Sequence, residues 1–226
     1  MKLLFPATIV TFVAALLLPV ATPLAAPITG LFNTGVDAAG APLANNAAEI
    51  HYTAIAVPAG GATGVRVATS ANGFPIPPWI GDDLSSAWIG PNSDAALNGP
   101  IGRYDYRVTF SLAGFVASSA FISGLWSADN EGLDIVVNGV SSGNNTGLNS
   151  DTFRSFFNFT LSSNFVGGTN TLDFIFNNDG GPTGLRVEMT GTADTAVAAV
   201  PEPTSFAILG AGLLGLRLIR RQRSQA

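Results

Sequence analysis

Apolar and polar residues alternate strictly along residues 103–112, RYDYRVTFSL. Tyrosine, valine, phenylalanine and leucine fall on one side of this stretch, and arginine, aspartate, threonine and serine fall on the other. A period of two predicts a half-buried β-strand. The same pattern recurs in LDIVVN, TFRSFFNFTL, TLDFIFN and GLRVEMT, and three further strand candidates are EIHYTAIAV, GVRVAT and AFISGLW.

Clusters of glycine, asparagine, serine and proline separate these stretches, as in PAGGATG, NGVSSGNNTG and NNDGGPTG. Such clusters are typical of turns, and no amphipathic helix of ten residues interrupts them. The pattern predicts an all-β fold, an antiparallel sandwich or barrel. We expect at least eight strands in two packed sheets. The expected core residues are Tyr104, Tyr106, Val108, Phe110, Phe157, Phe159, Leu172, Phe174, Leu185 and Val187.

The two ends of the chain are more apolar than its middle. Lys2 precedes an apolar run, Leu3–Leu18, and a stretch rich in alanine and proline follows it. This order is typical of a secretory signal peptide, which we predict over residues 1–26. Because cleavage after Ala26 would place Pro27 beside the cut, we expect the cut a few residues earlier. A retained N-terminal helix is the alternative.

The C-terminal apolar run begins at Phe206 and continues to Leu216, or to Ile219 if Arg217 is included. At about 1.5 Å per residue, the longer run to Ile219 spans roughly 21 Å as a helix, less than the roughly 30 Å thickness of the hydrocarbon core of a bilayer. A cluster of arginines at the end favours a cytoplasmic C-terminus; it comprises Arg217, Arg220, Arg221 and Arg223. The pattern therefore predicts a short membrane anchor, with a buried terminal helix as the alternative.

Three features of the tail occur in a distinctive order: VPEPTS with Pro201, Glu202 and Pro203, then the apolar run, then the arginines. Together they resemble a PEP-CTERM sorting signal. The resemblance implies export by a Gram-negative bacterium that makes exopolysaccharide, transient anchoring in the inner membrane, and processing by an exosortase-type protease. Domain boundaries follow: signal peptide 1–26, β-domain 27–192, linker 193–200 and sorting segment 201–226.

The body is similar to a recurring group of such proteins in LFNTGVDAAGAPL, EIHYT, WIGP, GRYDYRVTFSL and ISGLWSADNEGLDIVVNG. This resemblance, which also includes residues 167–192, implies an antiparallel jelly-roll β-sandwich of the galactose-binding-like type. With the two ends, the expected architecture is a sandwich flanked by a signal peptide and a short C-terminal hydrophobic helix. The resemblance implies no proven activity.

Charge and composition narrow the function. Residues 27–199 contain 14 acidic residues, five arginines and no lysine, a net charge of −9. Such a charge argues against nucleic acid and against an anionic surface as partner. The chain has no cysteine and a single histidine, His51, which excludes thiol catalysis, cysteine-based metal sites and two-histidine metal sites. We interpret His51 as a polar residue on a sheet face.

Calcium is the candidate cofactor, since it binds oxygen ligands from loops. GLRVEMTG resembles the last strand of discoidin-like sandwiches, whose glutamate can ligate structural Ca²⁺. The resemblance implies Glu188 as a ligand, with Asp37 as a second candidate. The alternative is a solvated strand glutamate near Arg186.

Tryptophan side chains are candidate contacts for sugar rings, because they offer flat apolar faces. The three candidates are Trp79, Trp88 and Trp126, and packing in the core explains them equally well. Carboxylates in GDDLSS and ADNEGLD could in principle supply a glycosidase pair, but SADNEG first predicts a turn.

The favoured interpretation is an exported, non-catalytic protein of the cell surface or exopolysaccharide matrix, with extracellular polysaccharide as its candidate ligand. A purely structural matrix protein without a ligand and a glycan-active hydrolase are the alternatives.

Overall fold

The structure, a computed structural model, describes residues 24–147 and 149–196 and, in the tail, residues 209–213, 215, 217 and 220. The first two ranges belong to one compact unit, Leu24–Ala196. Its strands are β1 Ala25–Pro27, β2 Tyr52–Ala56, β3 Arg66–Ala68, β4 Trp88–Gly90, β5 Gly102–Ser111, β6 Phe121–Asp129, β7 Glu131–Val137, β8 Val140–Ser141, β9 Phe157–Leu161, β10 Thr169–Asn178 and β11 Gly184–Asp194. Three short 3₁₀ turns lie at Ser70–Asn72, Ala117–Ser119 and Thr152–Arg154.

The strands form two antiparallel sheets. The six-stranded sheet has the order β3-β4-β11-β6-β9, with β1 also paired to β11. The five-stranded sheet has the order β2-β5-β10-β7-β8. From β5 onward the chain passes repeatedly from one sheet to the other, and β5 and β10 pair along ten residues. This is the connectivity of a jelly-roll β-sandwich, so the predicted fold class is confirmed.

The core lies between the sheets, and its residues come from alternate positions of each strand. Of the ten predicted core residues, all except Phe157 are buried, and Phe157 packs against them while half-buried. Aromatic rings dominate the centre: Phe176 stacks on Tyr104 with ring centroids 5.4 Å apart and meets the edge of Tyr106 at 5.1 Å. The alternation in the sequence therefore located the buried faces correctly.

The structure corrects the prediction for residues 152–161, where only the second half is a strand. Thr152–Arg154 forms a 3₁₀ turn before β9 begins at Phe157. The Thr152 hydroxyl donates to the carbonyl oxygens of Ala128 and Asn130, both at 2.7 Å. These bonds hold the turn against the connection between β6 and β7, where the sequence predicted a turn.

The β-domain extends beyond the predicted boundaries at both ends. The first strand, Ala25–Pro27, crosses the expected end of the signal peptide, and β11 continues through Asp194 into the predicted linker. Thr195 forms an isolated bridge with Phe115. The connection between the sandwich and the sorting motif is consequently shorter than predicted.

In the tail, the described residues 209–213, 215, 217 and 220 are helical, and Arg217 and Arg220 are exposed. Among the residues that the structure describes, no helix has the length and apolar character needed to cross a membrane. The predicted signal peptide through residue 23, the Pro201–Pro203 motif, Arg221 and Arg223 lie outside the described residues.

Candidate functional site

The outer face of the six-stranded sheet carries rows of polar side chains across β9, β6 and β11. The strand register aligns Thr160, Ser123 and Thr190 in one row. Asn158, Leu125 and Glu188 form the next row. Because alternate residues of a strand point to opposite faces, these side chains lie opposite the core-facing Ile122, Phe159 and Met189.

These rows form an open groove of about 520 Å³. Asn33 and Ser85, which belong to loops, border it. The Asn33 amide accepts from the Met189 backbone N–H at 2.8 Å and donates to the Ser85 carbonyl oxygen at 2.9 Å. The groove therefore combines hydroxyl and amide groups from three strands with two loops that are bonded to the sheet and to each other.

Glu188 is the one charged side chain among the residues that line this groove. Its carboxylate accepts from the Ser86 hydroxyl at 2.8 Å and lies 3.7 Å from the Arg186 guanidinium. The side chain remains 22% exposed. The arginine thus balances part of the negative charge, while the carboxylate stays accessible from the groove.

Arg186 is fully buried, although it occupies an outward-facing position of β11. Residues 80–86 cover it and satisfy its donors: the guanidinium donates to the Gly81 carbonyl at 2.6 Å, to the Ser86 hydroxyl at 2.7 Å and to the Asp83 carboxylate at 2.5 Å. Its other side faces the ring of Phe156, 5.2 Å away. A buried guanidinium requires this complete set of partners. Arg186 therefore fixes the 80–86 loop at the edge of the groove.

Asp83 completes that loop. Burial opposes ionisation, but hydrogen bonds from the N–H groups of Ser85 and Ser86, together with the charge of Arg186, hold the pKa of Asp83 below its usual value. Asp82 accepts from the hydroxyl of Ser70 at 2.6 Å. Both carboxylates of the predicted acidic pair are engaged in holding loops.

All three tryptophans are buried, with Trp79 3% exposed and Trp88 and Trp126 0% exposed. Trp79 and Trp88 pack against each other with ring centroids 4.4 Å apart. Trp126 contacts Phe174 inside the main core. This placement argues against the predicted sugar-stacking role, since none of the three offers an open face. Their bulk instead fills the sandwich.

The two calcium candidates have different surroundings. Glu188 is bonded as described above, whereas one oxygen of Asp37 accepts from the N–H groups of Ala39 and Ala41 within its own turn. Among the described residues, no group of three histidine, cysteine, aspartate or glutamate side chains is arranged to hold a metal ion. Calcium binding at Glu188 remains a prediction.

His51 and Glu49 organise the N-terminal loops. The His51 ring stacks on Phe32 with centroids 3.6 Å apart, and its Nε2 lies 3.2 Å from the Asp37 carbonyl oxygen. The Glu49 carboxylate accepts from the backbone N–H groups of Gly35 and His51 at 2.8 and 2.7 Å. Both residues precede β2, so the single histidine has a structural environment at a strand entrance.

Asp129 is a buried carboxyl group at the end of β6. One oxygen accepts from the Trp79 indole at 2.7 Å, and the other has no hydrogen-bonding partner among the described residues. Burial, and then the nearby charges of Asp151 and Asp179, raise the pKa of Asp129 to about 7, against the opposing effect of the Trp79 hydrogen bond. Burial therefore favours the protonated form of this carboxyl group at pH values where an exposed aspartate is ionised.

The groove residues contributed by β6 and β9 were not singled out from the sequence. Ser123, Asn158 and Thr160 are ordinary polar positions in alternating strands, and only the pairing of β6 with β9 and β11 brings them together. Their alternation indicated that they face solvent. It contained no information about which strands are neighbours.

Residues 199–223 match the PEP-CTERM protein-sorting motif, which confirms the resemblance of the tail. No curated protein matches the chain. Among solved structures, the chain is similar to three family 35 carbohydrate-binding modules. The module from an environmental isolate is 14% identical with a TM-score of 0.30, and the alignment covers 44% of this chain and 74% of the module.

The module from Paenibacillus barcinonensis is 14% identical with a TM-score of 0.32, covering 55% of this chain and 87% of the module. The module from Clostridium thermocellum is 15% identical with a TM-score of 0.30, covering 63% and 88%. At these scores, what the modules bind is not transferred to this chain. The sheet topology described above establishes the sandwich.

Proposed function

We propose that the chain is an exported protein of the cell surface or extracellular matrix, held briefly at the inner membrane and then released by an exosortase-type protease. The observation that carries this proposal is the sorting motif at residues 199–223. It begins a few positions after Ala196, the last residue that the structure describes in the sandwich. The apolar N-terminal run, typical of a secretory signal peptide, supports export.

We further propose that the sandwich is a non-catalytic binding domain, with polysaccharide as the ligand of the β9–β6–β11 groove. The groove is open, with a volume of about 520 Å³. Its hydroxyl and amide groups, such as Asn158 and Thr190, suit hydrogen bonding to sugar hydroxyls, and Leu125 offers an apolar contact for a ring face. The engagement of Asp82 and Asp83 in loop contacts supports a role without hydrolysis.

The sorting proposal is tested by mass spectrometry of the protein recovered from the surface of its native host. The mature protein is expected to lack Arg220, Arg221 and Arg223, because processing near Pro201 removes everything after it. Intact C-terminal arginines on the surface form would show that the tail is a permanent anchor and would overturn the proposal.

The binding proposal is tested by affinity electrophoresis in gels that contain single polysaccharides. Thr53 provides a matched control for Thr190. Thr190 is exposed in the groove, whereas Thr53 is exposed on the five-stranded sheet. Asn158→Ala with Thr190→Ala should abolish retardation, and Thr53→Ala should leave it unchanged. Retardation by no polysaccharide, with the protein folded, would favour a purely structural matrix protein. Turnover that a single carboxylate variant abolishes would establish a hydrolase.

A further inference from the structure

The chain enters and leaves the sandwich at the same end. The Leu24 carbonyl accepts from the Thr195 N–H at 3.0 Å, and β1 pairs with the last residues of β11. The Ala196 N–H donates to the Gly114 carbonyl at 2.8 Å, which holds the chain to this end through residue 196. The apolar N-terminal run and the sorting segment are therefore attached to one end of the sandwich, here called the exit end.

The loops of the exit end carry no charged residue. They include residues 112–120, between β5 and β6, and residues 162–168, between β9 and β10. The Leu112 N–H donates to the Gly168 carbonyl at 2.7 Å, which joins the two loops. Four large apolar side chains are exposed around them: Leu24 at 74%, Val116 at 38%, Phe121 at 45% and Val166 at 50%. Asp194 of β11, which pairs with Ala25, is an acidic residue at the same end.

The opposite end of the sandwich is acidic. The connections there join β4 to β5, β6 to β7, β8 to β9 and β10 to β11. They and the adjoining strand residues contain five acidic residues and two arginines: Asp94, Asp129, Glu131, Asp151, Asp179, Arg103 and Arg154. These residues give this end a net charge of −3, whereas the two exit-end loops contain no charged residue.

We propose that the exit end contacts the surface of the lipid bilayer while the chain is anchored. The proposal rests on the membrane anchoring proposed above. From Ala196 to Phe206 the chain can extend at most about 36 Å. A sandwich of about 170 residues has a radius of gyration near 16 Å, or a diameter of about 40 Å. Because this connection, which remains after the signal peptide is removed, is shorter than that diameter, the end to which it is attached lies towards the bilayer.

The charge distribution favours the same orientation. An anionic lipid surface repels carboxylates within a Debye length, and the acidic end is directed away from it. Exposed leucine, valine and phenylalanine side chains gain from partial burial at the lipid interface. The net charge of −9 on residues 27–199 therefore does not by itself oppose contact with an anionic membrane, since the two exit-end loops contain none of that charge.

The absence of cysteine from the chain permits a direct test with single-cysteine variants. Val116→Cys places an environment-sensitive fluorophore at the exit end, and Asp94→Cys places the same fluorophore at the acidic end as the matched control. Each full-length chain is incorporated into vesicles of phosphatidylethanolamine and phosphatidylglycerol that contain a quencher on the lipid headgroups. Flotation first establishes that the chain is bound to the vesicles.

The expected result is loss of fluorescence at position 116 and no loss at position 94. Adding Phe121→Asp to the Val116→Cys chain should reduce the quenching, while the bound fraction remains unchanged and the chain stays folded. Equal quenching at the two positions overturns the orientation. Concentration-dependent self-quenching in detergent without lipid would show that a second copy covers the exit end. A chain that does not float refutes the proposed anchoring, and this inference with it.

Discussion

The buried carboxyl group of Asp129 should make the sandwich more stable in mild acid than at alkaline pH. In the folded state burial, and then Asp151 and Asp179, raise the pKa of Asp129 from 3.8 to about 7. Asp129 is only 5% exposed, so solvent weakens the effects of burial and of the neighbouring charges only a little. Because the folded state binds this proton more tightly than the unfolded state, stability rises as pH falls from above 7 towards 4.

The magnitude follows from the difference between the two pKa values. One unit corresponds to about 1.36 kcal/mol, so ionised Asp129 destabilises the folded state by roughly 4 kcal/mol at high pH relative to a carboxyl group with the usual pKa. Between pH 8 and pH 5.5 the folded state recovers about 2 kcal/mol of this amount. For a domain of this size, that corresponds to an increase of about 4–8 °C in Tm.

The perturbation is Asp129→Asn, which keeps an oxygen to accept from the Trp79 indole and cannot ionise. The assay is thermal unfolding of residues 24–196 at several pH values, with constant ionic strength. In the variant, Tm should change less with pH than in the wild type, because the contribution of Asp129 is removed. This holds whatever the stability of the variant at a single pH. Asp94→Asn, at an exposed position of the same end, is the control and should keep the wild-type dependence.

Asp105 contributes in the same direction, since burial and the charge of Asp173 raise its pKa to about 6. The difference between wild type and Asp129→Asn removes this shared background. If the two proteins show the same change in Tm between pH 8 and pH 5.5, ionisation of Asp129 does not destabilise the folded state. The reasoning from its burial is then wrong.

Three other predictions concern the loops and strand edges. Arg186→Leu should destabilise the sandwich by about 3 kcal/mol, because it leaves the buried partners of the guanidinium unsatisfied; chemical denaturation measures this, and Arg66→Leu at an exposed site should cost little. Calcium should raise the Tm of the wild type but not of Glu188→Gln, because a ligand that binds only the folded state stabilises it; equal melting with calcium and with chelator would remove Glu188 as a ligand. A chain that starts at Ile28 should melt at a lower temperature than one that starts at Leu24, because it lacks the β1 hydrogen bonds to β11; identical melting curves would show that β1 contributes nothing.

The strands of this fold were predictable because one face of each is buried and the other is not. Tyr106, Phe174 and Val187 belong to alternating stretches and are 0% exposed. That signal fails where a local contact replaces strand pairing, as at Thr152, whose hydroxyl bonds to two carbonyl groups and favours a 3₁₀ turn.

The candidate site was less predictable, because it depends on contacts between distant parts of the chain. Arg186 occupies a polar position of an alternating strand pattern, which predicts an exposed side chain. Residues 80–86 nevertheless bury it completely. Tryptophan suits both a binding face and a core, and periodicity alone left Trp79 and Trp88 undecided. The groove itself required the order of β9, β6 and β11, which sequence patterns do not determine.

The position of β11 has a mechanical consequence for a protein held by its C-terminus. This strand lies inside its sheet, paired with β6 from Gly184 to Thr192 and flanked on its other side by β4 and β1. A load between the C-terminal attachment and a ligand in the groove would pull β11 along its own axis. Its hydrogen bonds to β6 would then be loaded together in shear rather than opened one after another. Single-molecule pulling through the C-terminus should therefore give a higher unfolding force than pulling across β8, the edge strand that pairs only with β7 among the described strands.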